Sequence, residues 1–69
     1  MRISARNVLP GTVTEIVTGA VTSHVRIDVG GITVTAAVTN EAVAELGLAV
    51  GSRASAVIKA SDVIVGVDD

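Results

Sequence analysis

The feature that most constrains the fold is a pair of alternating segments joined by two glycines. In residues 21–29 every second side chain is Val, Ser or Ile and those between are polar, and a similar alternation runs through residues 32–39. This period of two residues is typical of a strand with one buried face and one wet face. Gly30 and Gly31 tolerate the positive φ angles of a primed two-residue turn. The pattern therefore predicts a β-hairpin.

A further strand is predicted upstream, over residues 11–18. Its apolar phase slips by one residue between Val13 and Ile16, which indicates a bulge or a strong bend. Pro10 is expected to mark its start, because proline has no N–H to donate to a ladder and favours the first residue or the edge of a strand.

After the hairpin the pattern changes from strand to helix and back. Asn40 is a candidate N-cap, Glu41 suits the positive end of a helix dipole, and Gly47 is expected to end the helix after about two turns. Residues 53–59 and 63–67 predict two more strands. The predicted fold is all-β with one short helix, a five-stranded OB-type partly open barrel in the order β-β-β-α-β-β.

Residues 1–69 are expected to form one domain that needs partners. Domains below about 70–80 residues usually rely on disulfides, a metal or oligomerisation, and this chain has no Cys and one His. Its hydrophobic fraction of 49% and its mean hydropathy of +0.68 are high for a lone small domain. We therefore expect a homo-oligomer. No apolar run approaches a membrane span and no signal peptide is evident, so a cytoplasmic location is expected.

Composition also argues against catalysis and nucleic-acid binding. The only histidine, His24, lies within a predicted strand among polar neighbours, and the carboxylates are dispersed, so neither catalytic residues nor a metal site are expected. Single-strand binders of the OB type stack bases on aromatic side chains in a basic groove. This chain has no aromatic residue and 5 cations against 7 carboxylates, which makes nucleic acid the weakest of the functions considered.

Two polar clusters near the chain ends form a candidate oxyanion site. Ser4 and Arg6 precede the first strand, and Lys59 and Ser61 lie between the last two. Together they offer two positive charges and two hydroxyl groups. A tetrahedral dianion gives up its water only to charge-assisted hydrogen bonds and similar donors, so this set matches it.

The same clusters carry a family resemblance. The segments ISARN at residues 3–7 and VIKASDV at residues 57–63, with TNE at residues 39–41 between them, resemble the molbindins. These are stand-alone Mop domains, related to TOBE domains, that bind molybdate and tungstate. The resemblance covers essentially the whole chain.

The resemblance implies storage and buffering of molybdate or tungstate, as a bound ligand and not a catalytic cofactor, by a cytoplasmic homohexamer built as a trimer of dimers. It places the oxyanion at subunit interfaces, where the two terminal segments come from different subunits. Carried over to this chain, the predicted oxyanion-binding residues are Ser4, Ala5, Arg6, Val21, Lys59, Ala60 and Ser61.

The main alternative is a structural or interaction module of the OB type without an oxyanion ligand. The N–H groups after Asn40 are a further conceivable anion site, although satisfying the helix end is the commoner role of such groups. The same domain type also occurs fused to molybdate-responsive regulators and transporter ATPases.

Overall fold

The computed structural model describes all 69 residues, as an antiparallel sheet of four strands with one short α-helix and one 3₁₀ turn. Along the chain the elements are β1 (Asn7–Thr18), β2 (Thr22–Val29), β3 (Ile32–Thr39), α1 (Asn40–Glu45), β4 (Arg53–Ile58) and the 3₁₀ turn Ala60–Asp62. The strands lie in the order β3-β2-β1-β4, which leaves one edge of β3 and one edge of β4 without a neighbour.

The predicted hairpin is confirmed by β2 and β3. The two strands pair in register from Thr22 opposite Thr39 to Val29 opposite Ile32. The glycines between them, Gly30 and Gly31, have φ angles of 61° and 91°. The predicted face of β2 is the buried one.

Strand β1 carries the predicted irregularity but begins earlier than the sequence indicated. Its register against β2 shifts between Val13 and Glu15, which confirms the bulge. The strand starts at Asn7, not at residue 11, and Pro10 lies inside it, opposite Ser55 of β4. Proline is tolerated there because the β2 ladder begins only at Thr12, so β1 has a single neighbour at Pro10.

Helix α1 is capped by a different residue from the one predicted. The N-cap is Thr39, whose Oγ1 accepts a hydrogen bond from the Ala42 amide at 3.0 Å. Asn40 is the first helical residue, and its side chain turns back towards β2. The helix ends as expected before Gly47, which has a φ angle of +62°. No helix of the chain is long and apolar enough to cross a membrane.

The predicted fifth strand is not present in the single chain. Beyond the 3₁₀ turn, residues 63–67 have no strand neighbour, and no backbone hydrogen bond involves the chain after Val63. The predicted class is confirmed, because the protein is all-β with one short helix. Its sheet has four strands and curls into an open half-barrel.

The core is very small. Only 6 of 69 residues are buried, and the apolar ones with a side chain are Val13, Val25, Ile27 and Ala56. Partly buried residues of every strand and of α1 pack around them. Large apolar side chains remain exposed elsewhere, including Ile64 and Val65, which are 94% and 86% exposed. Much apolar surface is thus left for contact with another molecule.

We predict that Gly11→Ala destabilises the fold by roughly 2 kcal/mol or more, the range of substitutions that force a backbone shift. A Cβ at Gly11 would lie 2.3 Å from the carbonyl oxygen of Asp28 and 2.8 Å from Cγ2 of Ile27, so β1 and β2 would have to separate. Thermal or urea unfolding measures the effect. Gly66→Ala is the matched control, since nothing lies within 4 Å of that Cβ. Equal stability of the two variants would contradict the close approach of the strands.

Candidate functional site

The β1–β4 ladder brings the two predicted terminal segments together. Its last pair is Asn7 opposite Ile58, and Nδ2 of Asn7 donates a hydrogen bond to the Ile58 carbonyl oxygen at 3.1 Å. Arg6 precedes this pair on one strand and Lys59 follows it on the other. The two cations of the predicted site therefore lie at the same end of the sheet, on adjoining strands.

Neither cation is neutralised within the chain. The single salt bridge of the structure joins Arg26 to Glu15, and no side-chain hydrogen bond involves Arg6 or Lys59. Both residues are exposed. Two unpaired cations therefore lie at this end of the sheet, with the carboxylate of Asp62 in the adjoining 3₁₀ turn, although the whole chain has a net charge of −2.

Hydroxyl and amide donors lie beside the two cations. Ser4 and Ser61 are exposed, and Ala5 is half-buried. In the 3₁₀ turn, the amides of Asp62 and Val63 donate to the carbonyls of Lys59 and Ala60, whereas the amides of Ala60 and Ser61 donate to no backbone acceptor. Small side chains and unused N–H groups are features that allow an anion to approach a backbone closely.

Val21 does not join this group. It lies in the turn between β1 and β2, 71% exposed, next to Thr18 at the far end of β1. A 12-residue strand spans up to about 36 Å, so a curled β1 still separates Val21 from Arg6 by much of the molecule's length. Of the seven predicted residues, the chain brings six to one end and leaves Val21 at the other.

The turn that carries Val21 is held by Asn40, a role the sequence did not reveal. The Asn40 side chain donates to the Gly19 carbonyl at 2.9 Å and accepts from the hydroxyl of Ser23, which is 1% exposed. Its backbone N–H donates to the Val21 carbonyl at 2.8 Å. The sequence signal that could have indicated this role is the polar Ser23 on the buried face of β2, because a buried hydroxyl needs a hydrogen-bond partner.

Other polar residues form no comparable group. His24 is exposed on β2, opposite Val17 and Ala37. No cluster of three or more His, Cys, Asp or Glu residues could hold a metal ion.

Comparison with known proteins identifies the family of this chain. The profile of the TOBE domain matches residues 3–65. The chain belongs to the TOBE domain family. A relative from Haemophilus influenzae named "Probable molybdenum-pterin-binding protein" is 51% identical over 69 residues, which are 99% of this chain and 100% of that protein. The predicted resemblance to Mop domains is thereby confirmed.

Two solved structures share the fold of this TOBE domain closely. A molybdate-binding protein from Sporomusa ovata is 42% identical with a TM-score of 0.90, over 94% of this chain and 97% of that one. The cytoplasmic molybdate-binding protein ModG, crystallised with molybdate bound, is 59% identical with a TM-score of 0.94, over 99% of this chain and 49% of that one. All three relatives are described as binding proteins, which supports a binding rather than a catalytic role for this TOBE domain.

We predict that Asn40→Ala loosens the turn between β1 and β2 and lowers the free energy of unfolding by roughly 1–3 kcal/mol, because it leaves the Ser23 hydroxyl buried without its acceptor. Amide hydrogen exchange at Gly19, whose N–H donates to the Thr22 carbonyl at 2.8 Å, should accelerate. Asn40→Asp is the matched variant: it keeps an acceptor for Ser23 and replaces the donor to the Gly19 carbonyl by a charged oxygen. An Asn40→Ala protein as stable as wild type would show that this network does not hold the turn.

Proposed function

We propose that this TOBE domain binds molybdate or tungstate reversibly and serves to store and buffer the oxyanion in the cytoplasm. The oxyanion is a bound ligand and not a catalytic cofactor, and neither nucleic acid nor a membrane is a partner. Residues 1–69 act as one Mop-type domain that assembles into a homohexamer, a trimer of dimers. The proposed site consists of Ser4, Ala5, Arg6, Val21, Lys59, Ala60 and Ser61.

The observation that carries this proposal is the unpaired, adjoining placement of Arg6 and Lys59 at one end of the β1–β4 ladder. Two cations side by side repel each other unless an anion lies between them. A tetrahedral dianion matches their combined charge, and the hydroxyls of Ser4 and Ser61 can donate to its remaining oxygens. The molybdate-binding relatives from Sporomusa ovata and the ModG structure support the same ligand class.

The proposed site must be covered by a second subunit that excludes water from it. An exposed ion pair contributes at most about 1 kcal/mol of binding free energy, so two such contacts give about 2 kcal/mol. A dissociation constant of 1 mM already requires a binding free energy of about 4 kcal/mol. Arg6 and Lys59 are both exposed in the single chain. Coverage by a neighbouring subunit removes water and strengthens these contacts, and the distant Val21 can contribute only from another subunit.

Molybdate and tungstate are proposed together because both are tetrahedral dianions of nearly the same size. Donors placed for the oxygens of one also suit the other. Cytoplasmic function is supported by the ModG relative, which is described as cytoplasmic.

We predict that titration calorimetry will detect molybdate and tungstate binding to the wild-type protein and much weaker binding of sulfate and phosphate. Arg6→Ala and Lys59→Ala should each weaken molybdate binding by about 10- to 100-fold, because hydrogen bonds to charged groups contribute roughly 1.5–3 kcal/mol. Arg26→Ala is the control, since that cation lies on β2 and is paired with Glu15.

Equal loss in all three variants would indicate a general charge effect and reject the assigned site. Sulfate binding as tight as molybdate binding would reject the proposed selectivity. An absence of heat with every oxyanion would favour the alternative, an OB-type module whose role is assembly alone.

A mixing experiment tests whether the two terminal segments of one site come from different subunits, as the family resemblance implies. Arg6→Ala and Lys59→Ala chains are unfolded and refolded together in equal amounts. If one subunit supplies residue 6 and another supplies residue 59, random assembly restores about a quarter of the sites. Calorimetry should then show that fraction of tight molybdate binding. No restored binding would indicate that one chain supplies both cations.

A further inference from the structure

The 3₁₀ turn next to the proposed oxyanion site carries a carboxylate. Asp62 is the third residue of the turn and directly follows Ser61. Its N–H donates to the Lys59 carbonyl at 2.9 Å, and a turn closed by such a bond keeps its first and fourth Cα atoms within about 7 Å. Asp62 therefore lies beside two residues that are proposed to hold the anion.

The Asp62 carboxylate has no partner within the chain. The single salt bridge of the structure joins Arg26 to Glu15, so Asp62 is not paired with Lys59. No side-chain hydrogen bond involves Asp62 either, and the residue is exposed. Its negative charge is consequently not compensated by any group of its own chain.

The other six carboxylates belong to other parts of the chain. Two are engaged on the sheet, Glu15 in its salt bridge and Asp28 as the acceptor of the Gly31 N–H at 3.1 Å. The remaining four lie on α1 or at the end of the chain: Glu41, Glu45, Asp68 and Asp69. Asp62 is thus the carboxylate that a backbone turn holds next to the proposed site.

We propose that Asp62 limits the affinity of the oxyanion site and weakens its preference for dianions. This inference rests on the proposed function and names the residue that keeps binding reversible. Arg6 and Lys59 alone give the site two positive charges, and Asp62 reduces that sum to one. A bound molybdate then leaves one negative charge in excess. The repulsion is twice as large for a dianion as for a monoanion, because Coulomb energy is proportional to the charge of the ligand.

Two other roles for Asp62 predict different effects of its removal. A carboxylate paired with Lys59 would hold the ammonium group in place for the anion, and its loss would weaken binding, but the structure contains no such pair. A carboxylate that accepts a proton from the ligand would favour protonated phosphate. Molybdate and tungstate have no proton to donate at neutral pH. Both observations favour repulsion.

The test is titration calorimetry of Asp62→Asn with molybdate and tungstate, because asparagine keeps the shape of the side chain and removes its charge. The dissociation constant should fall by about 3- to 10-fold at about 0.1 M ionic strength. This range corresponds to a carboxylate about 9 Å from the anion with an effective dielectric constant of about 20–40. In about 1 M sodium chloride, where the Debye length is about 3 Å, the difference should nearly vanish.

Perrhenate tests whether the effect scales with the charge of the ligand. It is a tetrahedral monoanion close in size to tungstate, and its binding is measured by displacement of tungstate. The gain from D62N should be about 2- to 3-fold for perrhenate, the square root of the gain for tungstate, because the repulsion is halved. An equal gain for the two ligands would mean that the substitution alters the shape of the site, and would overturn the proposal.

Two control variants separate a local charge effect from other effects. Glu45→Gln removes one negative charge from the last residue of α1, an exposed side chain without a salt bridge. Asp62→Glu keeps the charge beside the site. Both variants should bind molybdate within about 2-fold of the wild type, because a screened charge acts over about 10 Å at 0.1 M ionic strength. Equal tightening in D62N and E45Q would overturn the proposal.

The remaining outcomes distinguish this inference from the proposed function. Molybdate binding that is unchanged or weaker in D62N overturns the inference and leaves the oxyanion site in place. Tightening that persists in 1 M salt, or phosphate binding that weakens in D62N, also overturns it. If neither the wild type nor D62N binds any oxyanion, the proposed function fails and the inference fails with it. If D62N does not fold, Asp62→Ser removes the same charge and decides in its place.

Discussion

The two free edges of the sheet, on β3 and β4, border an apolar groove that is open to water. β3 and β4 do not pair with each other and lie on opposite sides of the groove. The core below this opening consists of a few small side chains, and the removal of apolar area from water is the main force that stabilises folded proteins. In the proposed homo-oligomer, a neighbouring subunit that covers this opening would therefore contribute to stability and to the exclusion of water from the site together.

Local patterns were sufficient to predict most of the sheet. Alternation and the Gly30–Gly31 pair specified the hairpin, and the phase slip after Val13 specified the bulge, because each is set by neighbouring residues. The N-cap was misassigned by one residue, since Thr39 and Asn40 are both good caps and only the tertiary partner Ser23 decides between them. The early start of β1 depends on pairing with β4, which lies more than forty residues away.

The C-terminal segment shows where sequence reasoning reaches its limit. Residues 63–67 have the composition of a strand, and the prediction of a fifth strand followed from it, yet this segment pairs with no strand in the single chain. For the site, the residue types of the two terminal segments indicated an oxyanion, but their adjacency comes from the pairing of Asn7 with Ile58, a long-range contact. The distance of Val21 from the other six residues likewise follows only from the length of β1.

In the proposed homo-oligomer, association of the subunits and binding of the anion stabilise each other. A ligand that binds only the assembled form raises the stability of that form by an amount that increases with ligand concentration. Conversely, the cations Arg6 and Lys59 repel each other in the absence of an anion, and burial between subunits strengthens that repulsion. The empty interface is accordingly destabilised by the repulsion between these cations, and a bound dianion relieves that repulsion. Such coupling makes release of the oxyanion depend on how tightly the subunits hold together, which is a useful property for a buffer that must fill and empty over a small range of concentration.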